Sequence, residues 1–450
     1  MRFEPFALVR IATSRTIGFK MRTVACVACG LLASSWCAAR AQDQQVHIVP
    51  LEEKPPAREI SLPYGFYNDS FGVALAYVYA VYGYPQQQAS MLATAMIGST
   101  GSAMAFFMAQ NVQMPHVKRL FTDSVFSIGY YVDSDAYIDG NPQFAGERAG
   151  SNESDPDNFV EGSGLDNFAR VKFKYLLPIG DGKQQVITDY KLDRGLLVSG
   201  ASGGSSWNPW GSGRTFVELR PFYRSQTVDG DDVDAELKTN GVDASLFWDN
   251  RDFPLNPAIG GSIRFRASRD FGAFDSSNSW TVYEGELDKY WSLGSTDWFR
   301  ARVIAIDAWA AYSPTWEEEA NGTISNGPPA YTGATLGGLF RLRGYPAQRF
   351  SDKAGVLYST ELRLTPNWNP FPDWPALQND VGIQWVQFAA FAELGRVSPS
   401  WNGDTLHTDM KSDVGLGLRF FAKGIVLRVD VAASQESTRI QMMISSPFQF

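Results

Sequence analysis

The chain is poor in the side chains on which most soluble catalysts and disulfide-stapled domains rely. Its 450 residues include 3 cysteines and 3 histidines. The cysteines, Cys26, Cys29 and Cys37, all fall within the first 41 residues. There Met21 and Arg22 precede an apolar run from Thr23 to Ala39, and Ala39-Arg40-Ala41 follows the small-x-small pattern of a signal peptidase site. The expectation is a secretory signal peptide over residues 1–41, with translation starting at Met1 or at Met21. A lipid attachment at Cys37 is disfavoured by the bulky Trp36 before it. Without residues 1–41 the chain has no cysteine, which excludes a disulfide framework, a thiolate metal site and a cysteine nucleophile. His47 falls in a polar linker, His116 in a turn beside Pro115, and His407 in a loop, none beside a nucleophile on a strand. We therefore expect no catalytic residue, no metal ligand set and no cofactor, and not an enzyme.

Long apolar runs are also missing. No stretch of about 18 apolar residues occurs, as a membrane-spanning helix would need, and mean hydropathy is −0.19. Positive charge is scarce as well. The formal net charge is −9, and residues 1–41 hold six Lys/Arg against one Glu, so their removal lowers it by 5 to −14. A nucleic-acid partner, which needs a basic face, is not expected. What the chain does have is 14% aromatic residues and 41 glycines. Barrels that span lipid combine these with unremarkable hydropathy, because their apolar residues alternate with polar ones.

Alternation runs through the chain. In Val414-Gly415-Leu416-Gly417-Leu418-Arg419-Phe420 one face is Val, Leu, Leu, Phe and the other is Gly, Gly, Arg. In Ile425 to Val431, Arg428 and Asp430 oppose an apolar face, and Val217, Leu219 and Tyr223 oppose Glu218, Arg220 and Arg224. Such segments reach about 10–14 residues, longer than the usual five or six and enough to cross a bilayer at a tilt. Open edges do not survive in lipid, so the strands must close. A secreted soluble β-protein is the alternative, with the apolar face turned inward.

The expected fold class is all-β: a transmembrane antiparallel β-barrel of about sixteen strands over residues 63–450, after a polar linker at 42–62. Strand centres are placed near Tyr77, Ala93, Phe107, Gly129, Phe173, Val198, Val217, Ser245, Phe265, Glu284, Ile304, Glu361, Phe388, Leu416, Leu427 and Met442. With both termini periplasmic, the loops at Gly140–Gly164, at Asp229–Asp234 and from Ser313 to Ala354 would lie outside. The acid clusters would then sit largely outside, and Arg and Lys would enrich the lumen face.

One constellation narrows the family. Leu336-Gly337-Gly338-Leu339-Phe340-Arg341-Leu342-Arg343-Gly344-Tyr345 precedes the twelfth strand, which carries Glu361 and Arg363, and Phe391-Ala392-Glu393-Leu394-Gly395 lies on the next. Asp249-Asn250-Arg251-Asp252-Phe253-Pro254 and Pro63-Tyr64-Gly65-Phe66 add to the pattern. Over roughly residues 63–450 the set resembles the BamA/TamA-type outer-membrane assembly and secretion superfamily, the bacterial surface antigen barrels. In that family a Val-Arg-Gly-Phe/Tyr loop tip folds into the barrel, where its arginine meets an acid of a Phe-x-Asp-x-Gly motif. The resemblance implies a long outer loop folded into the lumen and anchored by Arg343, Gly344 and Tyr345 against Glu361 and Glu393. Leu342 and Glu393 depart from the family's Val and Asp. A guanidinium fork suits such carboxylates, and a buried cation without one would be costly. An ion pair that only stabilises the loop is the plainer reading of the same residues. Phe448 and Phe450 resemble the C-terminal signal by which barrels are recognised for insertion, and equally suit an aromatic girdle.

Family members with assembly or secretion activity carry periplasmic domains of roughly 75 residues each, comparable to a small domain. Residues 42–62 leave no room for one. The expected function is assistance in inserting or translocating polypeptides at the outer membrane. Expected partners are outer-membrane lipid and lipopolysaccharide, the barrel-assembly machinery during biogenesis, and a periplasmic partner or polypeptide substrate. The alternatives are a passive channel favouring anions, its lumen lined by Arg264, Arg266, Arg419, Arg428 and Arg439, and a surface-structural barrel with neither activity.

Overall fold

The computed structural model describes residues 46–49, 58–68, 70–199, 203–204, 206–230, 233–319, 323–369, 382–422 and 425–444. The expected signal peptide, most of the linker, and Phe448 and Phe450 lie outside these residues.

Sixteen strands form one antiparallel sheet in which each pairs with its neighbours in sequence. The first five are β1 (Arg58–Asn68), β2 (Gly72–Tyr82), β3 (Ser90–Gly98), β4 (Ala103–Gln113) and β5 (Leu120–Ala136). Next come β6 (Val160–Leu176), β7 (Arg214–Gly230), β8 (Asp234–Asp249), β9 (Gly260–Phe271), β10 (Ser279–Ser292) and β11 (Phe299–Tyr312). The last five are β12 (Ala354–Pro366), β13 (Ile383–Ser398), β14 (Lys411–Ala422), β15 (Ile425–Ser434) and β16 (Thr438–Ile444). Hereafter the inner end is the one where β1 begins and β16 finishes. The outer end is opposite.

Burial is inverted relative to a soluble protein. On β7, Val217 and Leu219 are 47% and 50% exposed while Glu218 between them is 2% exposed. On β14, Leu416 is 69% exposed and Arg419 2%. Large apolar side chains therefore coat the outside, and charged ones are buried on the inside. Only a lipid-facing wall gains from that arrangement; in water the exposed apolar face would be a liability.

The strand count matches the expectation, but two placements differ. No wall strand passes through Val198; Leu196–Leu197 is instead the return of a short hairpin inside the connection between β6 and β7. The wall begins at Arg58 rather than Pro63, and β1 pairs along its whole length with β2. The Pro-Pro break at Pro55 and Pro56 conceals this strand in the sequence. Pro63 can sit in β1 because that strand has a wall neighbour on one side in the recorded order, the position in which a missing donor costs least. With β1 counted, the loop at 137–159 joins β5 to β6 at the outer end, and Val160–Gly164 belong to β6 rather than to the loop.

The turn between β8 and β9 is built on one carboxylate. Asp252 Oδ1 accepts from the backbone N–H groups of Phe253 and Ala258 at 2.9 Å and of Ile259 at 3.3 Å. Burial raises the carboxyl above its ordinary range, and those donors pull it back down. Asp252→Ala should leave three N–H groups without this acceptor. The expected result is faster hydrogen exchange confined to residues 250–260, with the wall's exchange unchanged.

Candidate functional site

The connection between β11 and β12, residues 313–353, does not project from the outer end but turns into the barrel. Its Leu336, Leu342, Tyr345 and Phe350 are fully buried in one apolar cluster with Trp280, Val282, Trp309, Leu357 and Val397 from the wall. That cluster orients the tip, and the charged contacts then fix it.

Arg343 lies at the tip with its side chain 0% exposed. Its Nε donates to Glu393 Oε1 at 3.1 Å, and its Nη1 to Glu361 Oε1 at 3.0 Å and to Asp430 Oδ2 at 2.8 Å. The backbone N–H of Arg343 also donates to Glu393 Oε2 at 2.7 Å. The guanidinium carbon sits 3.4 Å from the centroid of the Phe391 ring, a stacked cation–π contact. The three acids come from β12, β13 and β15, so one side chain ties the loop to three wall strands. Glu361 in turn accepts from Arg419 Nη2 at 2.7 and 2.8 Å and from Arg363 Nε at 2.8 Å. Glu393 also accepts from Ser359 Oγ at 3.1 Å.

Gly344 has a different reason to be glycine than an unusual backbone angle. The left-handed residue is Leu342, with φ 51°. A Cβ on Gly344 would stand 2.8 Å from Asp413 Cβ, 3.0 Å from Ser434 Cβ and 3.1 Å from the Ala433 carbonyl carbon. The tip backbone is thus pressed against the wall. Its N–H donates to Asp413 Oδ2 at 2.7 Å, and its carbonyl accepts from Ser434 and Ser437 hydroxyls, both at 2.8 Å. Gly344→Ala is expected to lift the tip and expose the loop to added protease in the folded protein. Cleavage within 313–353 no faster than in the native protein would count against this seat.

Tyr345 closes the tip. Its hydroxyl donates to the Ser412 carbonyl at 3.2 Å, and its ring meets Phe350 edge-on at 5.1 Å. Asp413, Asp430, Gln441 and Phe391 complete the site and were not among the expected residues. Gln441 Nε2 donates to the Arg343 carbonyl at 2.8 Å. Alternation was the available signal, since Asp413 and Asp430 share the inward phase of Arg419 and Arg428.

A second clamp lies nearer the outer end. Arg349, fully buried, donates from Nε to Glu436 Oε2 at 2.7 Å and from Nη2 to the Ser154 carbonyl at 2.6 Å. Arg148 reaches Asp352 at 2.5 Å and the Ser351 carbonyl at 2.9 Å. Burial raises the Asp352 carboxyl above its usual range, and Arg148 opposes the rise. The loop at 137–159 therefore lies over the folded-in loop.

The arginines expected to line an anion-favouring lumen do face inward, but they are paired. Arg264 meets Glu218 at 2.5 Å, Arg266 meets Glu284 at 3.0 Å, Arg419 meets Glu361 at 2.7 Å, and Arg428 meets Asp430 at 3.3 Å. Arg439 is half-buried on the inward phase of β16. The expected enrichment of the lumen in Arg and Lys, with the acid clusters largely outside, is corrected here, because acids beyond the expected Glu361 and Glu393 also face inward. Glu218, Glu286, Asp288, Asp307, Glu361, Glu393, Asp413 and Asp430 are all buried on the wall or beside the loop. A buried guanidinium requires a nearby carboxylate, so the inner face carries both signs.

The family model for the Omp85 superfamily domain matches residues 112–450, a span that holds every residue of the tip and its seat. Among solved structures, CdiB from Escherichia coli is similar with a TM-score of 0.50 at 11% identity, over 87% of this chain and 62% of that one. CdiB from Acinetobacter baumannii gives 0.46 at 12% identity, over 86% and 59%. BamA from Haemophilus ducreyi lacking POTRA domains 1–3 gives 0.46 at 12% identity, over 88% and 71%. The chain thus spans less than two thirds of either CdiB chain. No curated sequence matches it.

Proposed function

This chain belongs to the Omp85 superfamily, and we propose that it sits in the bacterial outer membrane and assists the insertion or translocation of polypeptides there. The observation that carries the reading is the Arg343 tip, held by Glu361, Glu393 and Asp430 inside a wall with an apolar exterior. Such a lock joins three strands near the end of the sheet and keeps the loop where a passing chain would meet it. Nothing in the proposed role requires a catalytic step. The inner end would face the periplasm, and a polypeptide client or a periplasmic partner would approach from that side.

The test is deletion of the gene in its host, followed by quantitative proteomics of outer-membrane and secreted fractions. A specific set of polypeptides should fall and should return with the native gene but not with Arg343→Ala expressed at equal level. Unchanged fractions would overturn the proposal. Planar-bilayer recording separates the channel reading. With its arginines paired and a loop in the lumen, the native protein should show no large steady conductance. Charge reversal at Arg264 and Arg266 should therefore not invert an anion preference. A wide, steady, anion-selective current sensitive to those two positions would favour the channel instead.

A further inference from the structure

The connection between β6 and β7, residues 177–213, leaves its own corner of the barrel. Within it, Thr188–Asp193 and Leu196–Leu197 pair as a short hairpin. Tyr190, Leu192, Leu196 and Leu197 pack on Phe253, Trp385, Phe421 and Val426. Phe253 belongs to the β8–β9 turn, and the other three to β13, β14 and β15. Trp385 Nε1 donates to the Gly195 carbonyl at 2.9 Å, and Arg300 at the start of β11 reaches the Arg194 carbonyl at 3.1 Å. In the sixteen-strand order β7 and β14 stand seven places apart, close to opposite sides of a barrel. The hairpin therefore spans the inner mouth.

Its remaining edge is taken by the chain's own N-terminal part. Val46–Val49 lies parallel to Thr188–Lys191, pairing Val46 with Thr188, His47 with Asp189, Ile48 with Tyr190 and Val49 with Lys191. The contact is short and of the parallel kind, which is slightly weaker per residue, and it closes a long chain segment at an entropic cost. Along the hairpin strand, Thr188 and Tyr190 are buried while Asp189 and Lys191 are exposed. One face is thus fixed to the barrel, and the edge offers backbone donors and acceptors. Recognition by strand addition comes mainly from the main chain and tolerates many sequences.

We propose that the edge at Thr188–Lys191 is a binding seat for an extended polypeptide segment, which Val46–Val49 fills in this structure and which a client strand takes over by displacing it. The seat rests on the polypeptide-handling role proposed above and names where the client is first held. Its position across the inner mouth puts a captured segment at the inner end of the barrel.

Hydrogen exchange read by mass spectrometry on the purified full chain in detergent tests this. A variant lacking residues 46–49, and a full-length variant carrying Ile48→Pro with Val49→Pro, should each exchange at 188–191 at least tenfold faster. The probe is a ten-residue synthetic peptide alternating Val and Thr, and in excess it should restore protection in both. The same peptide with prolines at alternate positions should not. Two results would overturn the seat: protection at 188–191 unchanged in both variants, or protection restored only by a peptide copying residues 43–52. The two variants guard against one failing to fold. Because no transport is measured, a protein that binds the peptide but whose deletion leaves the proteome unchanged sinks the function and spares the seat. The reverse outcome sinks the seat alone.

Discussion

Arg343→Ala is expected to lower the temperature at which the folded barrel loses its compact form on a semi-native gel, and to do so more than neutral substitution at any exposed position. The arginine is the only cation bonded to Glu393 among the described contacts, and Glu393 is 1% exposed. Removing one partner of a buried pair typically costs about 3–5 kcal/mol, mostly because the other charge is left unpaired. The loss will fall unevenly. Glu361 keeps Arg363 and Arg419, and Asp430 keeps Arg428 at 3.3 Å, whereas Glu393 keeps the Ser359 hydroxyl and the Arg343 backbone N–H but no cation among the described contacts. Adding Glu393→Gln to Arg343→Ala should therefore recover part of the stability. Arg343→Lys should fall between, since a single ammonium lacks the planar fork that meets three carboxylates at once. A melting profile of Arg343→Ala that overlays the native one would remove the anchoring role.

The wall was legible in the sequence because its physics is local. Alternation at Val217 to Tyr223 and at Val414 to Phe420 sorts the two faces without any knowledge of neighbours, and the exposed and buried residues fall on those faces as expected. Where local signals are ambiguous the reading shifted. The Pro-Pro break at Pro55 and Pro56 made the start of β1 resemble a linker, while the apolar Leu196-Leu197-Val198 resembled a wall strand although it serves a hairpin across the inner mouth. The two shifts left the count at sixteen. The tip was legible for another reason: Arg343, Gly344 and Tyr345 stand in a recognisable pattern, and the structure brings Arg343 to Glu361 and Glu393. Asp413 and Asp430 were not legible as partners. Their inward phase is visible in sequence, but which inward acid meets which cation depends on how far around the barrel the loop reaches. Gly344 shows the same limit, since its demand comes from Asp413, Ser434 and Ala433, about 70 to 90 residues away in sequence.

The largest loss of stability should come from Glu361→Gln rather than from any arginine. This carboxylate, 1% exposed, is shared by Arg343, Arg363 and Arg419. Replacing it with an amide keeps the shape and removes the charge that lets three guanidiniums lie together. Arg343 can still lean on Glu393 and Asp430. Arg419 would keep a contact of 3.5 Å to the Gln387 side-chain oxygen, which carries no charge. Breaking a buried pair costs about 3–5 kcal/mol, and here Arg343, Arg363 and Arg419 each lose one charged contact, so the effect should equal or exceed that of Arg343→Ala. The two substitutions touch one network, so their effects should not add. In Arg343→Ala, Glu361→Gln should cost less than in the native protein, because one of the three repelling cations is already gone. Measured by the same gel, a double variant no more stable than the sum of the singles would mean that Glu361 does not act as the hub of this cluster.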